Sequence, residues 1–207
     1  RMFTAAELRH VLSVAPPAFL AMTYLGINCG FGNADCGTLT FANLDLDRGW
    51  HRHPRPKTGI ERRCPLWPQT VAAIRRWLAV RPEPRRAEWA DLVFLTGGGG
   101  PWCSATLGSP VSKRYGIFLK RHGIEREGVC FYALRHAFET VAGDGGDQVA
   151  VDYLMGHVPH AGDMSAVYRQ AIFDHRLFAV VNRVRTWLLR PVVEESPLDA
   201  RRPSLDE

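Results

Sequence analysis

Between residues 39 and 66 the pattern leaves the helical spacing that governs the rest of the chain, and this break constrains the fold most. Leu44-Asp45-Leu46, a turn at Asp47-Arg48-Gly49, residues 50–54, a second turn near Thr58-Gly59 and residues 61–66 read as a three-stranded meander. Before it, Thr4 can accept from the Glu7 amide while Glu7 reaches back. A capped helix therefore starts there, with Leu8, Val11 and Leu12 on its apolar stripe. Pro16-Pro17 ends that helix, and a more buried one runs through Phe19, Met22 and Leu25. Gly30, Gly32 and Gly37 then punctuate a turn and a short helix that Asn33 is placed to cap.

After the meander, Pro68 sits at a first helical position, and Val71, Ile74, Trp77 and Leu78 continue the helix. Residues 92–95 read as a short strand. The run Gly97 to Gly100 reads as a surface loop, since no Lys-Ser/Thr follows to make a phosphate-binding loop. Helices are expected over 112–122, 131–142, 148–155, 164–170 and 174–189. The expectation is an α+β fold, mainly helical, with one small three-stranded antiparallel sheet. Residues 1–190 form its domain, and 191–207, rich in Pro, Glu, Asp and Ser without a packing face, form a disordered acidic tail.

The chain of 207 residues carries 26 Lys and Arg against 21 Asp and Glu; outside the acidic tail the balance is 24 bases to 16 acids, or +8. Such a body suits a polyanionic partner, because cations that neutralise phosphates release counterions. Five scattered cysteines with no Cys-x-x-Cys pair fit a reducing cytosol rather than a disulfide framework. No apolar run is long enough for a membrane helix. The abrupt start at Arg1 points to a fragment of a longer chain. His51, His53 and Cys64 raise a zinc reading, but a fourth ligand at structural-site spacing is missing. The expectation is no metal, with His51 and His53 on one strand face toward DNA or solvent.

Four short stretches carry the chemistry. Phe131-Tyr-Ala-Leu-Arg-His-Ala-Phe-Glu-Thr140 places Phe131, Leu134, Phe138 and Val141 at helical spacing toward a core, and Tyr132 and Arg135 three apart on another face. Leu154-Met-Gly-His157 is followed eleven residues later by Tyr168. Pro54-Arg-Pro-Lys-Thr-Gly59 sets Lys57 on the second turn of the meander, with Arg62-Arg63 beyond. Cys29-Gly-Phe-Gly-Asn-Ala-Asp35 follows the second helix. In their order along the chain the stretches resemble the catalytic domain of the tyrosine recombinases, the phage-integrase family, over nearly all of residues 3–190.

The resemblance implies a metal-free and cofactor-free enzyme of double-stranded DNA, working in a bacterial or phage-derived setting in the cytoplasm at the nucleoid. Tyr168 would attack a DNA phosphate, forming a 3′-phosphotyrosyl bond and freeing a 5′-hydroxyl. Arg135 would grip non-bridging oxygens with its fork, His157 would bond the scissile phosphate, and Lys57 would protonate the leaving oxygen. Arg52, Arg55, Arg62, Arg63 and His136 are the candidates for contacts to DNA. The family's N-terminal arm-like domain, which closes a clamp around DNA, is expected outside this chain.

Two positions depart from the family pattern. Its first arginine is replaced by Gly32, while Asp35 keeps the acid position three residues on; the first histidine of its His-x-x-Arg box is Tyr132, whose phenol can still donate to phosphate. Removing one preorganised donor from a developing oxyanion costs about 3 kcal/mol. Either a meander arginine (Arg52, Arg55, Arg62 or Arg63) refills the space beside Asp35, or the domain holds DNA without efficient cleavage. Phe173, Leu177, Val180, Val181, Val184, Trp187 and Leu188 give the last helix a broad apolar stripe, expected either to dock on a second copy on DNA or to pack within its own domain.

Overall fold

A computed structural model of the chain describes residues 2–103, 110–158 and 171–190. Helices α1 (Ala5–Val14), α2 (Pro17–Cys29) and α3 (Asn33–Thr38) precede a sheet of β1 (Leu44–Asp45), β2 (Trp50–Arg52) and β3 (Arg63–Pro65). Then follow α4 (Pro68–Leu78), α5 (Pro110–Arg121), α6 (Ala133–Gly143), α7 (Gln148–Met155) and α8 (Asp174–Leu189). The sheet is an antiparallel meander in the order β1-β2-β3, with Leu44 opposite His51 and His51 opposite Cys64. The expected helix at 164–170, Tyr168 within it and the tail at 191–207 lie outside the described residues.

α2 is the hub. It is apolar nearly all round, as a helix enclosed by others must be, and it packs against α1, α4, α6 and α8. Its buried polar groups are paired. Thr23 shares a hydrogen bond with the Tyr115 hydroxyl (2.9 Å). The Asn28 amide donates to the Pro65 carbonyl (3.1 Å), and its oxygen accepts from the Trp67 amide and the Thr70 hydroxyl (both 2.8 Å). Asn28 thus fastens the end of α2 to the corner where β3 turns into α4.

The α1 capping box forms as expected: Thr4 Oγ1 accepts from the Glu7 amide (3.1 Å) and Glu7 Oε2 from the Thr4 amide (2.7 Å). Two local expectations differ. Residues 92–95 make only isolated bridges, Thr40 with Leu92 and Leu95 with Pro101. Asn33 is not a cap: Gly32 holds that position, its amide donating to Asp35 Oδ2 (2.6 Å), while the Asn33 side chain donates to Ser112. The apolar stripe of α8 is spent within the fold: Leu177, Val180, Val181, Val184 and Leu188 are buried, with α1, α2, α6 and α7 packed against the helix. Of the seven stripe residues only Phe173 stays well exposed, which is the second of the two expected outcomes, packing within its own domain. Among the described residues no helix is long and apolar enough to cross a membrane.

Candidate active site

Two helices end side by side, and their last carbonyls converge on one arginine. α2 stops at Gly30 and α7 at Gly156, each in the left-handed conformation (φ 65° and 63°) that glycine adopts without steric cost. Arg135, on the buried face of α6, donates Nη1 to the Gly30 carbonyl and Nη2 to the Met155 carbonyl, both at 2.6 Å. Carbonyls at helix C-termini lack intrahelical partners and favour a cation, which accounts for an arginine buried at 2% exposure. Burial, and then the charge of Arg55, pull Arg135 down to about 10. It remains a cation at neutral pH. Among the described residues its Nε–H and one hydrogen on each Nη are left for another acceptor.

The Gly156 carbonyl also accepts from Arg55 Nη1 (3.2 Å) and from the Thr58 hydroxyl (3.1 Å). A side chain at residue 156 would stand 2.9 Å from Arg55 Cβ, so glycine permits the approach. These bonds strap the β2–β3 hairpin, with Lys57 exposed at its turn, beside His157. The hairpin is therefore anchored rather than free. The imidazole of His157 is partly exposed, and its Nδ1 lies 3.1 Å from Asp152 Oδ1.

Where the family pattern has lost an arginine, another has arrived. Arg62 is buried at 1% exposure, with Nη2 bonded to Asp35 Oδ1 and Nε donating to the His53 carbonyl (3.0 Å). Its guanidinium carbon lies 4.9 Å from the centre of the Phe31 ring. Nη1 is buried with no hydrogen-bond partner among the described residues. Gly32 itself is extended (φ −99°), so its backbone does not require glycine. The space beside it is filled by Tyr132, whose Cε2 would be 3.3 Å from an added Cβ. Tyr132 is 41% exposed, and its ring meets that of His136 edge-on at 5.2 Å.

The five expected DNA contacts therefore divide. Arg62 faces inward. Arg63 is ion-paired with Asp174 and lies over the Trp50 ring at 4.8 Å. Arg55 is half-buried on Gly156, and Arg52 and His136 are exposed. His51 and His53 are buried rather than turned to DNA or solvent; burial, and then the charge of Arg62, pull His53 down to about 4. The Asp35–Arg62 pair had a signal in the sequence: Arg62 and Cys64 lie two apart, on the same face of an extended strand, while Arg63 points the other way.

The arrangement matches that of known proteins. The phage integrase family model fits residues 2–173. The tyrosine recombinase XerC of Alcanivorax borkumensis is 29% identical over 171 residues, which are 79% of this chain and 50% of that protein. The chain thus spans about half the length of the curated relative it matches. The crystal structure of the XerA recombinase superposes with a TM-score of 0.64 at 18% identity, over 89% of this chain and 65% of the other. The integrase of mycobacterium phage Brujita superposes at 0.63 with 21% identity, over 89% and 57%. The Tn1549 transposon integrase, solved in complex with a circular intermediate DNA, does so at 0.62 with 18% identity, over 86% and 62%. With a family match across more than four-fifths of its length and the same helix-and-meander fold, this chain belongs to the phage integrase family.

Proposed function

We propose that the chain is the catalytic domain of a site-specific DNA strand-exchange enzyme. In this reading it cleaves and rejoins duplex DNA through a 3′-phosphotyrosyl bond on Tyr168, with Arg62 doing the work of the missing first arginine. The observation that carries this reading is the buried Asp35–Arg62 pair with Nη1 unspent. Taking a charged pair out of water costs several kcal/mol per ion, and a fold that only needed to fill space beside Tyr132 would be served by apolar side chains. Held there, Arg62 and Arg135 present two guanidinium groups to one phosphate, a preorganised electrostatic clamp of the kind that stabilises phosphoryl charge in a transition state. Lys57 on the strapped hairpin acts on the leaving oxygen, and His157 and Tyr132 donate to the phosphate. Arg52 and His136 lie against the DNA backbone.

A second reading, a domain that binds DNA without cutting it, is favoured by the depth at which Arg62 lies. Both readings put duplex DNA on this face, and self-association on DNA remains compatible with either. A suicide-substrate assay with the full-length protein separates them. Strand cleavage predicts a covalent protein–DNA adduct that Tyr168→Phe abolishes. Duplex binding that weakens steeply with salt, without any adduct, would establish the binding module instead.

A further inference from the structure

Behind the phosphate-facing residues lies a second cluster that the proposed reaction does not use. Cys29 is the last residue of α2, and His51 and Cys64 face each other across the β2–β3 pair. All three are fully buried, and their Sγ, imidazole nitrogen and Sγ atoms lie within 4.8 Å of one another. A zinc ion with bonds of 2.0–2.3 Å holds such atoms roughly 3.5–3.8 Å apart, a contraction within reach of side-chain rotation. Neither nitrogen of His51 has a hydrogen-bond partner among the described residues. A buried imidazole with both polar atoms unmet is costly in an apolar setting. Its ring packs edge-on against Phe31 at 4.8 Å, which offers nothing to those nitrogens. The thiols of Cys29 and Cys64 are both free of disulfides and meet each other, and Cys64 Sγ makes long contacts to the Asn28 and Pro65 carbonyls (3.7 and 3.5 Å).

We infer that Cys29, His51 and Cys64 form a structural site for one soft d10 metal cation, Zn²⁺ or Cu⁺, that ties the end of α2 to the sheet. Two thiolates and an imidazole are the donor set such ions select over carboxylates. Three ligands complete a trigonal Cu⁺ site, and Zn²⁺ would take one further oxygen donor. Two thiol protons leave to solvent on binding, so the two thiolates offset the charge of a divalent ion. The nearby Arg62 does not oppose the ion alone, because Asp35 already meets its charge. The sequence raises zinc through His51, His53 and Cys64 and sets it aside, and His53 does belong elsewhere, sharing contacts with Thr38 and Asn43. The third ligand, Cys29, lies on a helix more than twenty residues earlier. A metal here would brace the turn that carries the Gly30 carbonyl on which Arg135 rests.

The test uses the full-length protein, stripped of metal and kept reduced, and titrated separately with Zn²⁺ and Cu⁺ against chromophoric chelators. The site predicts one equivalent bound, a higher melting temperature when loaded, and thiolate-to-metal charge-transfer absorption with Co²⁺ as a probe. Cys64→Ala should weaken binding by more than about 100-fold, beyond the usual loss from an outer-shell partner. His51→Phe keeps a ring beside Phe31 without ligating atoms, so it should fold yet gain no thermal stability from metal. Stoichiometric binding in one arm only identifies which of the two ions the site takes. Failure to bind either ion, or binding unchanged in both variants, overturns the proposal whether or not the protein cleaves DNA.

Discussion

Arg62 shows how much of this site depends on a single side chain's direction. In the sequence it is one of six meander cations, next to Arg63, and nothing in composition separates the two. The hairpin register does. Arg52 and Arg63 are paired across the sheet and turn outward, while His51, His53, Arg62 and Cys64 form an inward row. Gly32 and Tyr132 were legible as departures from the family pattern because each is a substitution at a fixed motif position. The refilling of the lost charge by a meander arginine was one of two outcomes the sequence left open, and the alternation that sets Arg62 on the face of Cys64 was the pointer to which of the four would come from thirty residues away. The ion pair has a testable signature. Arg62→Met leaves the Asp35 carboxylate buried and uncompensated, and should cost about 3–5 kcal/mol by urea unfolding. The double variant Asp35→Asn, Arg62→Met keeps an acceptor for the Gly32 amide without the charge, and should be more stable than Arg62→Met alone. A strictly additive pair of losses would show that the two side chains do not act together.

At the level of elements, the helices were readable where capping and proline chemistry mark their ends: the Thr4–Glu7 box of α1 and Pro68 at the first turn of α4. The meander was readable from its turns, although its strands are shorter than the alternation extends. Residues 92–95 have a strand's composition but lack a neighbour to pair with over more than one residue, and β structure depends on partners in a way that helix spacing does not. The close approach of α2 to α6 left no local trace beyond a glycine. A Cβ on Gly26 would fall 2.7 Å from Leu134 Cδ1 and 2.9 Å from its Cβ. Gly26→Ala should therefore destabilise the fold by about 1–3 kcal/mol through overpacking, read as a shift of the urea midpoint. Adding Leu134→Ala should recover part of the packing strain. If Gly26→Ala is neutral, the two helices are less tightly apposed than described.

Across the molecule, electrostatics act in two places with different sensitivities. On the outer side, Arg126, in the segment between α5 and α6, donates Nε to Glu7 Oε1 (2.7 Å) and so joins the N-terminal helix to that segment. That bond, assisted by the Thr4 capping contacts, lowers the Glu7 carboxyl from 4.5 to about 2. A carboxyl whose folded value is depressed stabilises the fold fully above its unfolded value and progressively less below it. The stability difference between wild type and Glu7→Gln should thus be constant above pH 4.5 and shrink as pH falls toward 2. Urea midpoints across that range check it, and a gap independent of pH would assign the contribution to packing. On the inner side, the convergence of the α2 and α7 ends on Arg135, the strapped hairpin and the Asp35–Arg62 pair together make the proposed phosphate clamp. That clamp is tested most directly by the initial rate of covalent adduct formation by the full-length protein on a suicide duplex. The rate is compared for wild type and Arg62→Lys, with Tyr168→Phe as the blank. Lysine keeps a charge beside Asp35 but loses the fork, so a fall of about 10²–10³-fold, with duplex affinity and melting temperature nearly unchanged, is the expected result. An Arg62→Lys protein that forms the adduct as fast as wild type would contradict the assignment of Arg62 to the phosphate.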